Sequence, residues 1–548
     1  MFTSQALNKS KIIFSIVFYQ CNVLVGRRHS SERIRNFPYR SRSRVSLPGD
    51  TFGELSSLIE LDLSHNFIRE LREEPFCNLT HLKTLRLNNN KIKYLNGALK
   101  NLYNLRHLYL TSNQIQKIDM ESINTINHLE TFDISKNLIE KIDPTLFPRH
   151  WKHFNNGTIC KILLSDNYIT HVPNVSIEIA ERFRRNSITP KLAYTKLDLS
   201  NNSITHIEYN AFSLLELKSV DLSNNKLTDF IVNPKDLIYS LSNTQNLKYV
   251  NLTFNDILEL HSLRITFHPE GGYLDLSNNG LSALIIPDNE AIGLRELVLS
   301  HNNISDAYLI RLTDQHDLTR LDMSYNYILE LDESSLQLPE KLGVLDLSFN
   351  DIYRIAPSAF NRMSNLKTLR LSHNNLKIID HGVFRGLTSL LNLDLSFNQI
   401  GQLDSKVFMD LQYLSLLSLR HNGLNVLDSD GWLSYKQDLT VYLDGNNLSC
   451  QWLAKALTDF SRGYSKMNPT VLETVMVGTS IQGIPCEQEV QNYEKPKYLA
   501  DERLLIVSQK ILEAVQEQTS LMKRFMWHAI LHEAEQRNAR NVSRFYFR

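Results

Sequence analysis

Residues 342–352 read LGVLDLSFNDI, and the spacing of their apolar residues decides the fold. Leu345 and Leu347 flank Asp346 in strict alternation, the pattern of a short, half-buried strand. Leu342, Leu345, Leu347 and Ile352 are expected to point inward, and Val344, Asp346 and Ser348 outward. Asn350 ends the alternation. Its side chain carries both a donor and an acceptor, which suits a turn that leaves backbone groups of both kinds unpaired. Aspartate and serine lack that combination in the same geometry. Phe360 and Leu366 then fill the far side before the next strand begins.

The same frame, Leu-x-Leu-x-x-Asn-x-Leu/Ile, returns at Asn66, Asn90, Asn113, Asn137, Asn167, Asn202, Asn225, Asn255, Asn279, Asn302, Asn326, Asn350, Asn374, Asn398, Asn422 and Asn446. Twelve of the fifteen intervals are 23 or 24 residues, and the others are 30, 35 and 30. A fixed period of this length with this pattern marks leucine-rich repeats. The expected fold is an α/β repeat solenoid, a leucine-rich-repeat horseshoe of about 16 repeats with a parallel sheet on its concave face. One repeat cannot bury its leucines alone, so neighbours stack into a continuous core and leave the concave face for binding. The period resembles the 24-residue class found in secreted and cell-surface proteins.

Four regions are expected: a signal-like apolar segment and basic leader at 1–49, poorly ordered; the solenoid at 50–447; a cap at 448–490; and an amphipathic helical tail at 491–548. The apolar run IIFSIVFYQCNVLV (12–25) follows Lys9 and Lys11 and has the length of a secretion-signal core. The leader after it holds Arg27, Arg28, Arg33, Arg35, Arg40, Arg42 and Arg44, a composition that also fits an organelle transit peptide. Secretion is the reading taken here. Nine Asn-x-Ser/Thr triplets occur along the chain, and Asn78, Asn156, Asn174, Asn251, Asn303 and Asn447 are the candidate glycosylation sites. Asn156 and Asn174 stand out because they lie in insertions off the repeat period.

Lys+Arg and Asp+Glu are equal at 59 each. No global basic field is available for nucleic acid or for an acidic membrane surface. No apolar stretch after the repeats is long enough for a transmembrane helix. In the tail, Leu504, Val507, Ile511, Ala514, Gln518, Leu521 and Phe525 follow three-four spacing. A helix over 498–537 is therefore either a seam for a homo- or hetero-oligomer or a strap folded back onto the solenoid's end.

Signals for chemistry are weak. His528 and His532 stand four apart on that helix, as in zinc proteases, but the catalytic glutamate's place is taken by Ala529. There is no glycine-rich phosphate loop, nucleophile elbow or calcium loop, so no catalytic residue, metal or cofactor is assigned. Two surface rows remain. Asp62, Asp133, Asp198, Asp221, Asp275, Asp322, Asp346 and Asp394 form an acidic stripe on the inner face, where an exchange such as Asp346→Ser is expected to be near neutral. The residues just ahead of the repeat asparagines, Phe254, His301, Tyr325, Phe349, His373, Phe397 and His421, form an aromatic–histidine row along one edge of the sheet. A row of exposed aromatics favours a protein partner, and the histidines let its charge change between pH 5 and 8.

NNLSCQWLAKALTDF (446–460) followed by GIPC (483–486) resembles, in reduced form, the cysteine-flanked C-terminal cap of extracellular leucine-rich-repeat proteins. That resemblance implies a Cys450–Cys486 disulfide. Cys77 and Cys160 are expected to be buried thiols. Over residues 50–490 the chain resembles insect extracellular leucine-rich-repeat proteins, in particular mosquito-type leucine-rich immune proteins, through Cys450, Trp452, Cys486 and the helix from Tyr498 to Arg537. Its repeats resemble Toll-type receptor ectodomains equally well. The resemblance implies a secreted or cell-surface, non-catalytic recognition protein in innate immunity, with a protein ligand on the concave face or its edge. The alternatives are an adhesion or structural protein using the same face, and an intracellular scaffold with reduced cysteines.

Overall fold

A computed structural model describes residues 55–72, 74–118, 128–143, 161–173, 196–208, 211–212, 217–228, 247–260, 265–287, 290–312, 317–428 and 439–454. It also describes residues 52, 123 and 126 and the short strands at 15–17, 45–47, 466–467, 480–481 and 484–485. Contacts divide the chain into two units, Met1–Gln488 and Glu489–Arg548. The tail helix, Cys160, Cys486, Asn156 and Asn174 lie outside the described residues.

The first unit is a parallel-sheet solenoid built on an 18-stranded sheet. Its strands pair in chain order from Glu60–Asp62 to Thr440–Tyr442, each one repeat from the next. Register runs leucine to leucine: Leu321, Leu345, Leu369 and Leu393 are consecutive partners. Pairing reaches ahead of residue 50. Ser15–Val17 lies beside Glu60–Asp62 in the main sheet, and Val45–Leu47 pairs with Ile68–Leu71. Lys466–Met467 adds to the other edge. Short parallel pairs such as Gln402–Asp404 with Val426–Asp428 form beyond the turn.

Leu342, Leu345, Leu347, Ile352, Phe360 and Leu366 are all fully buried, as their spacing requires. Ser348 is not outward, as expected, but buried. Its backbone N–H and hydroxyl both donate to Oδ1 of Asp346, so the serine folds under the turn. Asp62–Ser64, Asp133–Ser135, Asp198–Ser200, Asp221–Ser223, Asp322–Ser324 and Asp394–Ser396 repeat the arrangement. The acidic stripe is therefore part of the turn chemistry, with one carboxylate oxygen of each pair engaged. Asp346 also receives Arg370 at 3.0 Å, which removes the ground for expecting Asp346→Ser to be neutral.

The asparagines tie consecutive turns together. Nδ2 of Asn350 donates to the carbonyls of Met323, Leu347 and Ser348 at 3.0, 3.1 and 3.3 Å. Its Oδ1 accepts the N–H of Ile328 at 3.1 Å. Asn137 makes the same set with Leu110, Ile134, Ser135 and Ile115. Only an amide can serve carbonyls and an N–H from one buried side chain, which is why this position repeats as asparagine.

Candidate functional site

The residue ahead of each repeat asparagine must enter the left-handed region to turn the chain out of the sheet. Thus φ is 55° at His301, 53° at Tyr325, 54° at Phe349, His373 and Phe397, and 49° at His421. Bulky side chains are uncommon there; asparagine, aspartate and histidine tolerate it best. The N–H of each of these residues donates to a carbonyl one repeat on, as Tyr325 does to Ser348, Phe349 to Ser372 and His373 to Ser396. The repeat spacing therefore sets the distance between side chains.

Six rings stack in one file as a result. Centroid distances are 4.1 Å for His301–Tyr325, 4.1 Å for Tyr325–Phe349, 4.0 Å for Phe349–His373, 4.2 Å for His373–Phe397 and 4.5 Å for Phe397–His421. Interplanar angles are between 7° and 19°. Aromatic pairs left to themselves prefer offset or edge-to-face contact, so the backbone imposes this near face-to-face geometry. The file ends at Gly445, φ 74°, where a Cβ would fall 2.2 Å from the His421 ring. Glycine is required there because the last ring lies over its backbone. Phe254 does not belong to the file, contrary to expectation. Asn278 occupies the next position and breaks the succession of rings, a break the sequence already contains.

Because faces meet faces, the file offers solvent its ring edges. Tyr325, Phe349 and Phe397 remain 42%, 36% and 43% exposed, so the edges form a mixed aromatic–histidine strip. His373, between Phe349 and Phe397, has its pKa pushed below the ordinary 6.5, chiefly by burial. Asp394 opposes that shift and His421 adds to it. Beside the strip runs a polar column in which Gln399 donates to Asn375 and Asn375 to Asp351.

The inner face holds a second aromatic group that sequence reading missed. Tyr249 and Tyr273, on neighbouring strands, stack at 5.0 Å and 4°. The Tyr273 hydroxyl donates to Oδ2 of Asp275 at 2.9 Å. Aligning YVNLTFN (249–255) with YLDLSNN (273–279) in repeat register would have put the two rings side by side.

Of the glycosylation candidates, Asn78, Asn303 and Asn447 are exposed. Asn251 is half-buried in a sheet strand with Oδ1 accepting the Thr253 N–H. Cys450 is disulfide-bonded. Cys77 is half-buried, not buried as expected, because it sits on the turn outside the repeat's leucine positions. Among the described residues there is no group of His, Cys, Asp and Glu that could hold a metal ion. No described helix is long and apolar enough to cross a membrane.

The leucine-rich-repeat family pattern matches residues 41–92, 56–115, 103–149 and 340–400, and a second leucine-rich-repeat pattern matches 294–307. Human Toll-like receptor 8 is 26% identical over 40% of this chain and 25% of its own length. Mouse lumican is 31% identical over 33% of this chain and 47% of its own. The zebrafish transforming growth factor beta activator LRRC33 is 23% identical over 57% of this chain and 51% of its own. The chain thus spans about half or less of the length of these curated relatives. A solved leucine-rich-repeat protein of Leptospira interrogans shares the fold, with TM-score 0.51 and 22% identity over 77% of this chain and 92% of that one. The chain is a leucine-rich-repeat protein whose repeats resemble the ectodomains of Toll-type receptors.

Proposed function

We propose that the chain is a secreted or cell-surface recognition protein of innate immunity, acting by binding a protein ligand and not by catalysis. The observation that carries the reading is the ring file from His301 to His421, an aromatic–histidine strip with exposed Tyr325, Phe349 and Phe397 on a backbone that would be better served by asparagine. Exposed aromatic strips of this kind favour protein contact. A bonded Cys450 suits an oxidising compartment, and the exposed triplets at Asn78, Asn303 and Asn447 suit a glycoprotein. Pairing of Cys450 with Cys486, and oligomerisation through 498–537, complete the proposal.

Two measurements test it. Intact mass of protein from its native host is expected to fall with a glycosidase, and both Cys450 and Cys486 are expected to resist alkylation until a reductant is added. Full alkylation without reductant, with no glycan present, would place the protein in a reducing compartment and sink the reading. For the surface, Tyr325→Asn, Phe349→Asn and Phe397→Asn together are expected to abolish ligand capture. Asparagine already occupies the same turn position at Asn89, Asn201, Asn224 and Asn278, so the variant keeps the backbone. Unchanged capture would move the site elsewhere.

A further inference from the structure

We infer that the concave face around Tyr249 is a subsite for an arginine side chain of a protein ligand, seated on the free face of the Tyr249 ring and paired with Asp221. One face of that ring is taken by Tyr273. The other looks toward the partner strand, where the register places Ser219 opposite Tyr249. Serine leaves the space above its own strand open for about one strand spacing, ~4.8 Å, enough for one planar group lying against the ring. An aromatic face and a carboxylate together recognise a guanidinium, by cation–π contact and charge-assisted hydrogen bonding.

Charge is arranged to match. Asp221 spends Oδ1 on Ser223, and among the described residues no cation pairs with it. Two of its counterparts are neutralised, Asp198 by Lys196 and Asp346 by Arg370; Asp221, like Asp275 beyond the ring pair, keeps its charge. Tyr273 anchors to Asp275 and holds the ring pair in place. Burial lifts the Tyr249 phenol above its ordinary value and the carboxylates of Asp221 and Asp275 lift it further, so both carboxylates act on this ring. The basic groups nearby are already engaged: Lys248 by Glu270 at 2.6 Å, and Lys196, opposite Ser219 on the next strand, by Asp198 at 3.2 Å.

The local backbone is also exceptional. Pairing in the main sheet shifts register between Gly272 and Tyr273, where Leu294 and Glu296 become their partners and Arg295 is passed over. A Cβ at Gly272 would fall 2.1 Å from the buried Phe267 ring, so only glycine fits beside that ring. Bulges re-aim side chains and gather next to functional sites. Tyr273 meets Tyr249 across the opposite edge of its strand, in regular register. The inference does not depend on the ring file, which lies at the edge of the sheet on later repeats.

The test uses the intact chain on a biosensor and three synthetic peptides of one Gly/Ser frame, carrying two arginines, two lysines or two citrullines. Citrulline keeps the planar shape and removes the charge. The arginine peptide is expected to bind at least about tenfold tighter than the citrulline peptide. Tyr249→Ser and Asp221→Asn are each expected to weaken it about fivefold or more, and Tyr249→Phe to leave it within about twofold. Thermal unfolding checks the fold of each variant; serine already stands at the matching place in the neighbouring strand, at Ser219. The Tyr325/Phe349/Phe397 asparagine variant is expected to bind the peptide normally. Several results would overturn the proposal: no binding of the arginine peptide, equal binding of the citrulline peptide, wild-type binding by Tyr249→Ser, or a loss in Tyr249→Phe as large as in Tyr249→Ser. Equal binding of the lysine peptide would overturn the guanidinium assignment. A glycan on Asn251 would stand over the same rings, so its occupancy in native protein would also refute the site.

Discussion

The turn ahead of the repeat asparagine is one backbone answered by two sets of side chains. Early in the chain, after His65, the position holds Asn89, Ser112, Lys136, Asp166, Asn201 and Asn224, with φ between 52° and 57°. Later it holds His301, Tyr325, Phe349, His373, Phe397 and His421, with φ between 49° and 55°. The conformational demand is the same throughout, and the early residues include those that meet it at least cost. Tyr325, Phe349 and Phe397 meet it at a penalty of roughly 1 kcal/mol each, offset in part by stacking of about 0.5–1.5 kcal/mol per pair. The fold therefore does not ask for the rings. A file of exposed rings that folding does not require is what a binding surface looks like.

The contrast between the regions breaks most visibly in binding. Removing Tyr325, Phe349 and Phe397 together as asparagines is expected to weaken capture of the protein ligand by more than about a hundredfold, since aromatic anchors carry ~2 kcal/mol or more each. Making the same exchange at Phe254, outside the file, is expected to leave affinity within about threefold. Equal losses would mean that ring stacking is irrelevant to recognition.

What the regions share should respond alike. Asn350→Leu and Asn137→Leu each orphan carbonyls and one N–H in the buried turn. Each is expected to cost on the order of 3 kcal/mol or more in denaturant unfolding. A loss confined to one of the two would show that the asparagine ties are not equivalent along the solenoid. Putting a ring where no ring neighbours it sharpens the point. Asn201→Phe, between Asp166 and Asn224, is expected to cost about 1 kcal/mol because it accepts the left-handed penalty without a stack. A stabilised variant would contradict the strain argument.

The smallest effect is the pH response of His373. Its pKa is lowered in the folded chain, chiefly by burial, so the unfolded state binds the proton more readily. The corresponding stability is present at and above the ordinary 6.5 and declines as pH falls below it. The wild-type unfolding midpoint should fall relative to that of His373→Asn between pH 7 and pH 5 by a small margin. A wild-type advantage that grows toward pH 5 would reverse the sign assigned here.

Most of the scaffold was legible in the chain because spacing carries it. Leu345, Leu347, Asn350 and Ile352 declare strand, turn and core in eight residues, and the amide chemistry of Asn350 explains why it repeats. The orientation of Ser348 was not legible, because alternation ignores the carboxylate of Asp346 that draws the hydroxyl and N–H inward. The ring row was visible as letters. That its faces would be hidden and only its edges exposed depends on the left-handed backbone at Phe349 and its neighbours. Tyr249 and Tyr273 were missed because their contact is made across repeats, and it shows only when the two repeats are aligned in register. Ser15–Val17 reads as part of an apolar run suited to secretion, and its place beside Glu60–Asp62 follows from strand pairing alone.

The claim that the rings serve binding and not folding is tested most directly by thermal unfolding of the Tyr325/Phe349/Phe397 asparagine variant, with Leu347→Ala as the measure of a core loss. The midpoint of the ring variant is expected within about 3 °C of wild type, because lost stacking and relieved backbone strain largely cancel. Leu347→Ala should remove roughly 2–5 kcal/mol. A fall in the ring variant as large as that caused by Leu347→Ala would make the file a structural spine and contradict the account.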